Sequence, residues 1–166
     1  YVVGESGLRN ALISRHFTIT DMSPDYVVVG LDSKVTYDKL ATAVLLIRAG
    51  ATFIGTNSDS NLPNQRGMVP GAGSLVKLVE YATQKRPIMI GKPEKIIMAM
   101  ALKKSGLNKE QVVMVGDNYN TDIKAAINFG IDSLLVYSGL STKLEVSKEA
   151  IQPTHQVDSL DDWQVE

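Results

Sequence analysis

The sequence predicts an α/β fold built on parallel strands. Short β-branched runs, each closed by a turn residue, alternate with stretches whose apolar residues recur every three or four positions. The runs are continuously apolar, the pattern of strands covered on both faces. Their alternation with helices is what a parallel sheet needs, because each return crossover takes a helix-length connection.

The elements follow in order. The chain opens on YVVG, a strand signal over Tyr1–Val3. Natural domains seldom open inside a core strand, so the whole protein is expected to carry an N-terminal part ahead of it. A second run, Tyr26–Val29, leads to a helix over 36–48 with Leu40, Val44 and Ile47 on one face. The third run is Thr52–Ile54. After it, residues 56–73 (TNSDSNLPNQRGMVPGAG) show no period and are expected to form a long irregular loop. Such a loop inside a compact domain is either a ligand-contacting element or a surface insertion. A helix over 74–83 aligns Leu75, Leu78, Val79 and Ala82, and the strand Ile88–Ile90 follows. Pro93 suits the first turn of a helix over 94–104, and Gly106 suits its C-terminal cap. Strand Val112–Val115, a helix over 120–129 closed by Gly130, and strand Leu134–Val136 complete the alternation, and TKLE at Thr142–Glu145 has capping-box spacing.

Composition narrows the function classes. The chain has 166 residues, 44% hydrophobic and 21% charged, an ordinary globular balance. With 17 basic and 18 acidic residues the net charge is −1, so no field favours nucleic acid or an anionic membrane surface, and neither is expected as a partner. There is no cysteine. That excludes disulfides, thiolate metal sites and a cysteine nucleophile, and it agrees with a reducing, cytoplasmic setting. The longest apolar runs, such as IIMAMAL at 96–102, fall well short of a membrane span.

In open α/β sheets ligands sit beyond the carboxyl ends of the strands. Three features share that address. Asp117 directly follows a strand, and Asp122 lies five residues on, in the first turn of the next helix. Carboxylates there can hold a hard cation such as Mg²⁺, which takes oxygen donors and keeps several waters; alternatively, Asp122 or Asn120 simply caps the helix. Lys92 also follows a strand and precedes a helix, where a cation opposes the helix dipole and therefore needs another purpose. Beside backbone N–H groups it would make a phosphate site, the plain alternative being a solvated lysine. The 56–73 loop supplies Asn57, Asp59, Asn61 and Arg66, which can read a polar substrate or serve as turn residues.

These residues carry a resemblance. IGKPEKIIMAMAL and VVMVGDNYNTDIKAAINFGIDSLLVYSG resemble the third and fourth motifs of the haloacid-dehalogenase-like (HAD) phosphatases. DYVVVGLDSKVTYDKL, GATFIGTNSDSNLPNQRGMVPGAGSLV and QPTHQVDSLDDW are similar to the NagD-like branch, which carries a type IIA cap. The resemblance spans essentially the whole chain. It implies an α/β cap domain over residues 1–85 and the C-terminal part of a Rossmann-like HAD core over 86–166. It further implies a phosphatase using Mg²⁺ and an aspartyl-phosphate to hydrolyse small phosphorylated metabolites such as sugar, acid-sugar or nitrophenyl phosphates. Residue by residue, Lys92 corresponds to the lysine that neutralises the phosphate, Asp117 to the acidic Mg²⁺ ligand, and Asp122 to the second acid of the metal motif. Asn57 to Arg66 match the cap segment that approaches substrate.

The family's first motif, DxDG with its aspartate nucleophile, is absent. TDMSPD at 20–25, GLDSK at 30–34 and SLDDW at 159–163 lack its spacing after an apolar strand, and Thr56-Asn57-Ser58 sits in cap-like surroundings. The chain alone is therefore expected to be inactive, and an incomplete core is expected to expose apolar surface that can pair with another copy. A non-catalytic binding module is the other reading. A dinucleotide-binding fragment is disfavoured because no G-x-G-x-x-G follows a strand, and PGAGS at 70–74 follows a loop.

Overall fold

The computed structural model describes residues 1–164 and divides the chain into two compact units, Tyr1–Ile90 and Gly91–Glu166. In the first unit, strands β1 (Val2–Val3), β2 (Tyr26–Val29), β3 (Thr52–Gly55) and β6 (Ile88–Met89) form a parallel sheet in the order β1-β2-β3-β6. Strand 88–89, expected to open the second unit, pairs instead with β3 through Ile54 and Gly55. Period-two alternation sends Val3, Val27, Val29 and Phe53 to one face, where helices α2 (Tyr37–Arg48) and α3 (Ala72–Thr83) cover them with Ala43, Ile47, Val76 and Val79. All of these are buried, and each fully buried aliphatic side chain contributes about 1.5–3 kcal/mol. Thr36 starts α2 by accepting the Lys39 N–H at 3.2 Å. Helix α1 (Ser6–Ile13) had no counterpart in the sequence reading. Its Leu8 and Leu12 join Val2, Val28 and Ile54 around a groove of about 800 Å³ on the other face.

The 56–73 segment is not an irregular loop. It contains an antiparallel hairpin of β4 (Asn61–Asn64) and β5 (Gly67–Pro70), with Asn64 opposite Gly67. The Asn64 side chain accepts the Arg66 N–H at 2.8 Å, and Gly67 takes φ +114°, a conformation open to glycine, so the tight turn is chemically specified. The PGAGS run anchors the hairpin. Gly71 and Gly73 donate their N–H groups to the carbonyls of Ser60 and Asp59, both at 2.9 Å, and a Cβ on Gly73 would overlap the Ser58 backbone. Those glycines serve close backbone approach, and α3 starts at Ala72 because of it.

The second unit holds a parallel sheet in the order β7-β8-β9, made of β7 (Val113–Gly116), β8 (Asp132–Val136) and β9 (His155–Val157). Helix α4 (Lys95–Ser105) ends at Gly106 with φ +72°, and α5 (Lys124–Phe129) ends at Gly130 with φ +75°, the left-handed caps expected from sequence. Helix α6 (Lys143–Val146) starts with the predicted capping box between Thr142 and Glu145. Tyr119, Ile123, Leu135 and Val146 form the buried core. Coverage on both faces, expected for every strand, fails at β7: Val113 and Val115 are 41% and 42% exposed, and α4 buries no residue.

Candidate active site

The second unit's site gathers beyond the carboxyl ends of β7 and β8. Asp117 follows β7, half-buried; its Oδ2 accepts the Leu140 N–H at 3.1 Å, and its carbonyl accepts the Ser141 N–H at 3.0 Å. The chain then enters a π-helical turn over Tyr119–Ile123, not the regular helix start expected at 120. The cause is Asn118, whose carbonyl takes the N–H groups of Thr121, Asp122 and Ile123 at 3.3, 2.8 and 3.4 Å and whose side chain caps Asn120 at 3.0 Å. Capping therefore falls to Asn118, and Asp122 is spared for another task.

That task is an ion pair. Asp122, 5% exposed, accepts Lys92 Nζ on Oδ1 at 2.6 Å and the Asn118 N–H on Oδ2 at 3.2 Å. A carboxylate so buried needs both partners to offset its lost hydration. Gly116 makes the approach possible, since a Cβ there would overlap the Asp122 carboxyl. Lys92 thus has the reason to precede α4 that the helix dipole denies it, and its side chain stays 44% exposed, within reach of a ligand.

Lys92, Asp117 and Asp122 are brought into one neighbourhood, as their shared position after strands implied. Asn57, Asp59, Asn61 and Arg66 belong to the first unit, on or just before the hairpin. Asn57 Oδ1 accepts the Asp59 N–H at 3.1 Å and so shapes local backbone, while Asn61 Oδ1 accepts the Ser60 hydroxyl at 3.0 Å. Asp59, Asn61 and Arg66 are exposed. Sequence reasoning missed Gly139, Leu140 and Ser141, which touch Asp117 largely through main-chain atoms.

Mg²⁺ fits this donor set in part. Asp117 offers hard oxygen ligands, and one of its oxygens is held by a single N–H, leaving the other available. Both Asp122 oxygens already serve Lys92 and Asn118. No group of three or more His, Cys, Asp or Glu suited to a metal occurs among the described residues. An ion here would keep waters or take a further ligand from outside these residues, which is within the habit of Mg²⁺.

Residues 89–163 match the family model described as HAD-hydrolase-like. The chain is 45% identical over 163 residues to the 5′-nucleotidase YutF of Bacillus subtilis, covering 98% of this chain and 64% of that protein. It is 46% identical to an acid sugar phosphatase of Staphylococcus saprophyticus, covering 98% of this chain and 63% of the relative. A crystal structure of a double mutant of the thermostable NPPase from Geobacillus stearothermophilus superposes with a TM-score of 0.94 at 48% identity, over 99% of this chain and 65% of that one. The HAD-like match falls on the second unit, and along its whole length the chain is similar to these phosphatases and to NagD of E. coli, at 35% identity and a TM-score of 0.91, the likeness the motifs implied. It spans just under two thirds of the length of these relatives. No helix among the described residues is long and apolar enough to cross a membrane.

Proposed function

We propose that the chain is the cap and the C-terminal core portion of a Mg²⁺-dependent phosphatase acting on small phosphomonoesters. The single observation behind this is the Lys92–Asp122 pair at 2.6 Å beside Asp117, beyond the strand ends. Lys92 binds and neutralises a phosphate dianion, Asp122 holds Lys92 in place, and Asp117 is the carboxylate for the metal. Bound Mg²⁺ would supply charge stabilisation to the phosphoryl oxygens. Asn57, Asp59, Asn61 and Arg66 of the cap, residues 1–85 in the family's terms, are the candidates for substrate specificity. The names of the relatives, a 5′-nucleotidase and an acid sugar phosphatase, support sugar-phosphate, acid-sugar-phosphate or nucleotide substrates, and p-nitrophenyl phosphate is the convenient probe.

The aspartate nucleophile has no counterpart in these 166 residues, where no DxDG follows an apolar strand. The chain alone therefore binds without turning over. Purified, it is expected to hydrolyse p-nitrophenyl phosphate no faster than buffer with or without Mg²⁺. Robust Mg²⁺-dependent turnover would reject that account. An in-frame DxDG encoded ahead of Tyr1 would support the enzyme class, and its absence there would count against it.

A further inference from the structure

Gly139 stands in the exposed loop after β8, yet a Cβ built on it would overlap the Asp117 carboxylate, meeting Oδ2, Cβ and Cγ. Its φ lies outside the left-handed region, so the backbone does not require glycine. Core packing does not require it either, because the residue is exposed. What remains is proximity to Asp117.

The neighbouring atoms follow suit. Leu140 N–H holds Oδ2 of Asp117 at 3.1 Å and Ser141 N–H holds its carbonyl at 3.0 Å, while the Ser141 hydroxyl accepts the Tyr119 N–H at 2.8 Å. The loop is fixed beyond Ser141 too, where Thr142 N–H reaches Glu145 Oε2 at 3.1 Å. A carboxylate that accepts a fixed N–H on one oxygen is held in one orientation and keeps its other oxygen for a ligand.

We infer that Gly139 is a positioning residue, which lets the 139–141 loop clamp Asp117 in the orientation that receives a divalent cation. The inference rests on the metal-holding role proposed for Asp117. A side chain at 139 pushes the carboxylate off the Leu140 N–H and misdirects it. Ser141 acts in the same sense by tying the loop to the π-helical turn.

The test uses the full 166-residue chain, with Mn²⁺ as a paramagnetic probe, and reads two quantities: amide exchange at Leu140 and Mn²⁺ affinity from broadening around Asp117. Gly139→Ala is expected to speed Leu140 exchange about tenfold, the loss of one hydrogen bond to a charged acceptor. It should also weaken Mn²⁺ binding about 10- to 100-fold, as for other supports of metal ligands. Ser141→Ala should move both readouts less in the same direction, and Ser141→Thr should restore them. A folded Gly139→Ala chain with both readouts unchanged overturns the inference. Should Gly139→Ala not fold, Ser141→Ala decides, and wild-type Leu140 exchange in that variant overturns the claim. If the wild-type chain binds no Mn²⁺ near Asp117, the metal role itself fails, and unaltered Leu140 exchange in Gly139→Ala would then refute the clamp separately.

Discussion

Each unit buries an aspartate against a lysine just past a strand, and the two pairs differ in what surrounds them. In the first unit Asp32 follows β2 and meets Lys39 from the first turn of α2, whose Nζ also reaches the Gly4 carbonyl at 3.5 Å. Asp32 further accepts the Lys34 N–H at 3.2 Å, and the Lys39 side chain is 28% exposed. In the second unit Asp122 meets Lys92 from 30 residues away, the lysine is 44% exposed, and a further carboxylate, Asp117, stands alongside. One pair closes on its own backbone and holds a loop to a helix. The other joins a half-exposed lysine to the turn that directly follows Asp117. On the function proposed above, the same two residue types serve structure in one place and ligand capture in the other, and the surroundings, not the pair, tell them apart.

This contrast can be broken by mutation, and the largest effect is expected in the first unit. Asp32→Ala leaves Lys39 partly buried without its carboxylate and should cost about 3 kcal/mol in urea unfolding, with Mn²⁺ binding unchanged. A pH series sharpens the point. Burial pushes the Asp32 carboxyl up, but hydrogen bonds from Lys39 and Lys34 outweigh it and hold it below its ordinary value of 3.8. A carboxyl lowered on folding adds stability that is fully present above that value and is lost as pH falls through the folded one. The wild-type chain should therefore lose stability faster than Asp32→Ala on acidification below about pH 4. Parallel curves would place the stabilisation elsewhere.

Gly116→Ala comes next. The added methyl drives into the Asp122 carboxyl, and the expected cost is about 2 kcal/mol, with Lys92 displaced from its partner. Crystallography of the variant with an intact 2.6 Å pair would count against this reading. Lys92→Met leaves the buried Asp122 carboxylate with the Asn118 N–H but without its cation, and should cost about 1–2 kcal/mol, discounted from a fully buried pair because the Lys92 side chain is 44% exposed. Its loss should also appear in weakened inorganic phosphate binding by calorimetry, which Lys39→Met should leave intact.

Much of this was legible in the sequence, for physical reasons. β-Branched runs such as YVVV, which buries Val27 and Val29, announce their strands, and VMVG reads the same way although β7 leaves Val113 and Val115 exposed. The grouping of Lys92, Asp117 and Asp122 was readable because Lys92 and Asp117 closely follow apolar runs and Asp122 lies in the next turn. Strand β9 was not readable. It is HQV, and next to it Ser133 and Thr154 exchange backbone-to-hydroxyl bonds at 3.1 Å each, a pairing without an apolar signature. Helix α1 buries no residue and gave too weak a stripe. The β4–β5 hairpin hid because Asn61, Pro63, Asn64 and Gly67 read as turn chemistry, and only its two central residues, Gln65 and Arg66, lie between the paired strands. Leu140 was invisible for another reason: it acts through its N–H, which every residue but proline has.

The most direct test of the account is where Mn²⁺ lands on the chain. Amide signals of Asp117, Gly139 and Leu140 should broaden first on titration, and Asp117→Asn should abolish the effect while Asp32→Asn leaves it unchanged. Broadening centred on Asp32, or broadening near residue 117 that survives Asp117→Asn, would contradict it.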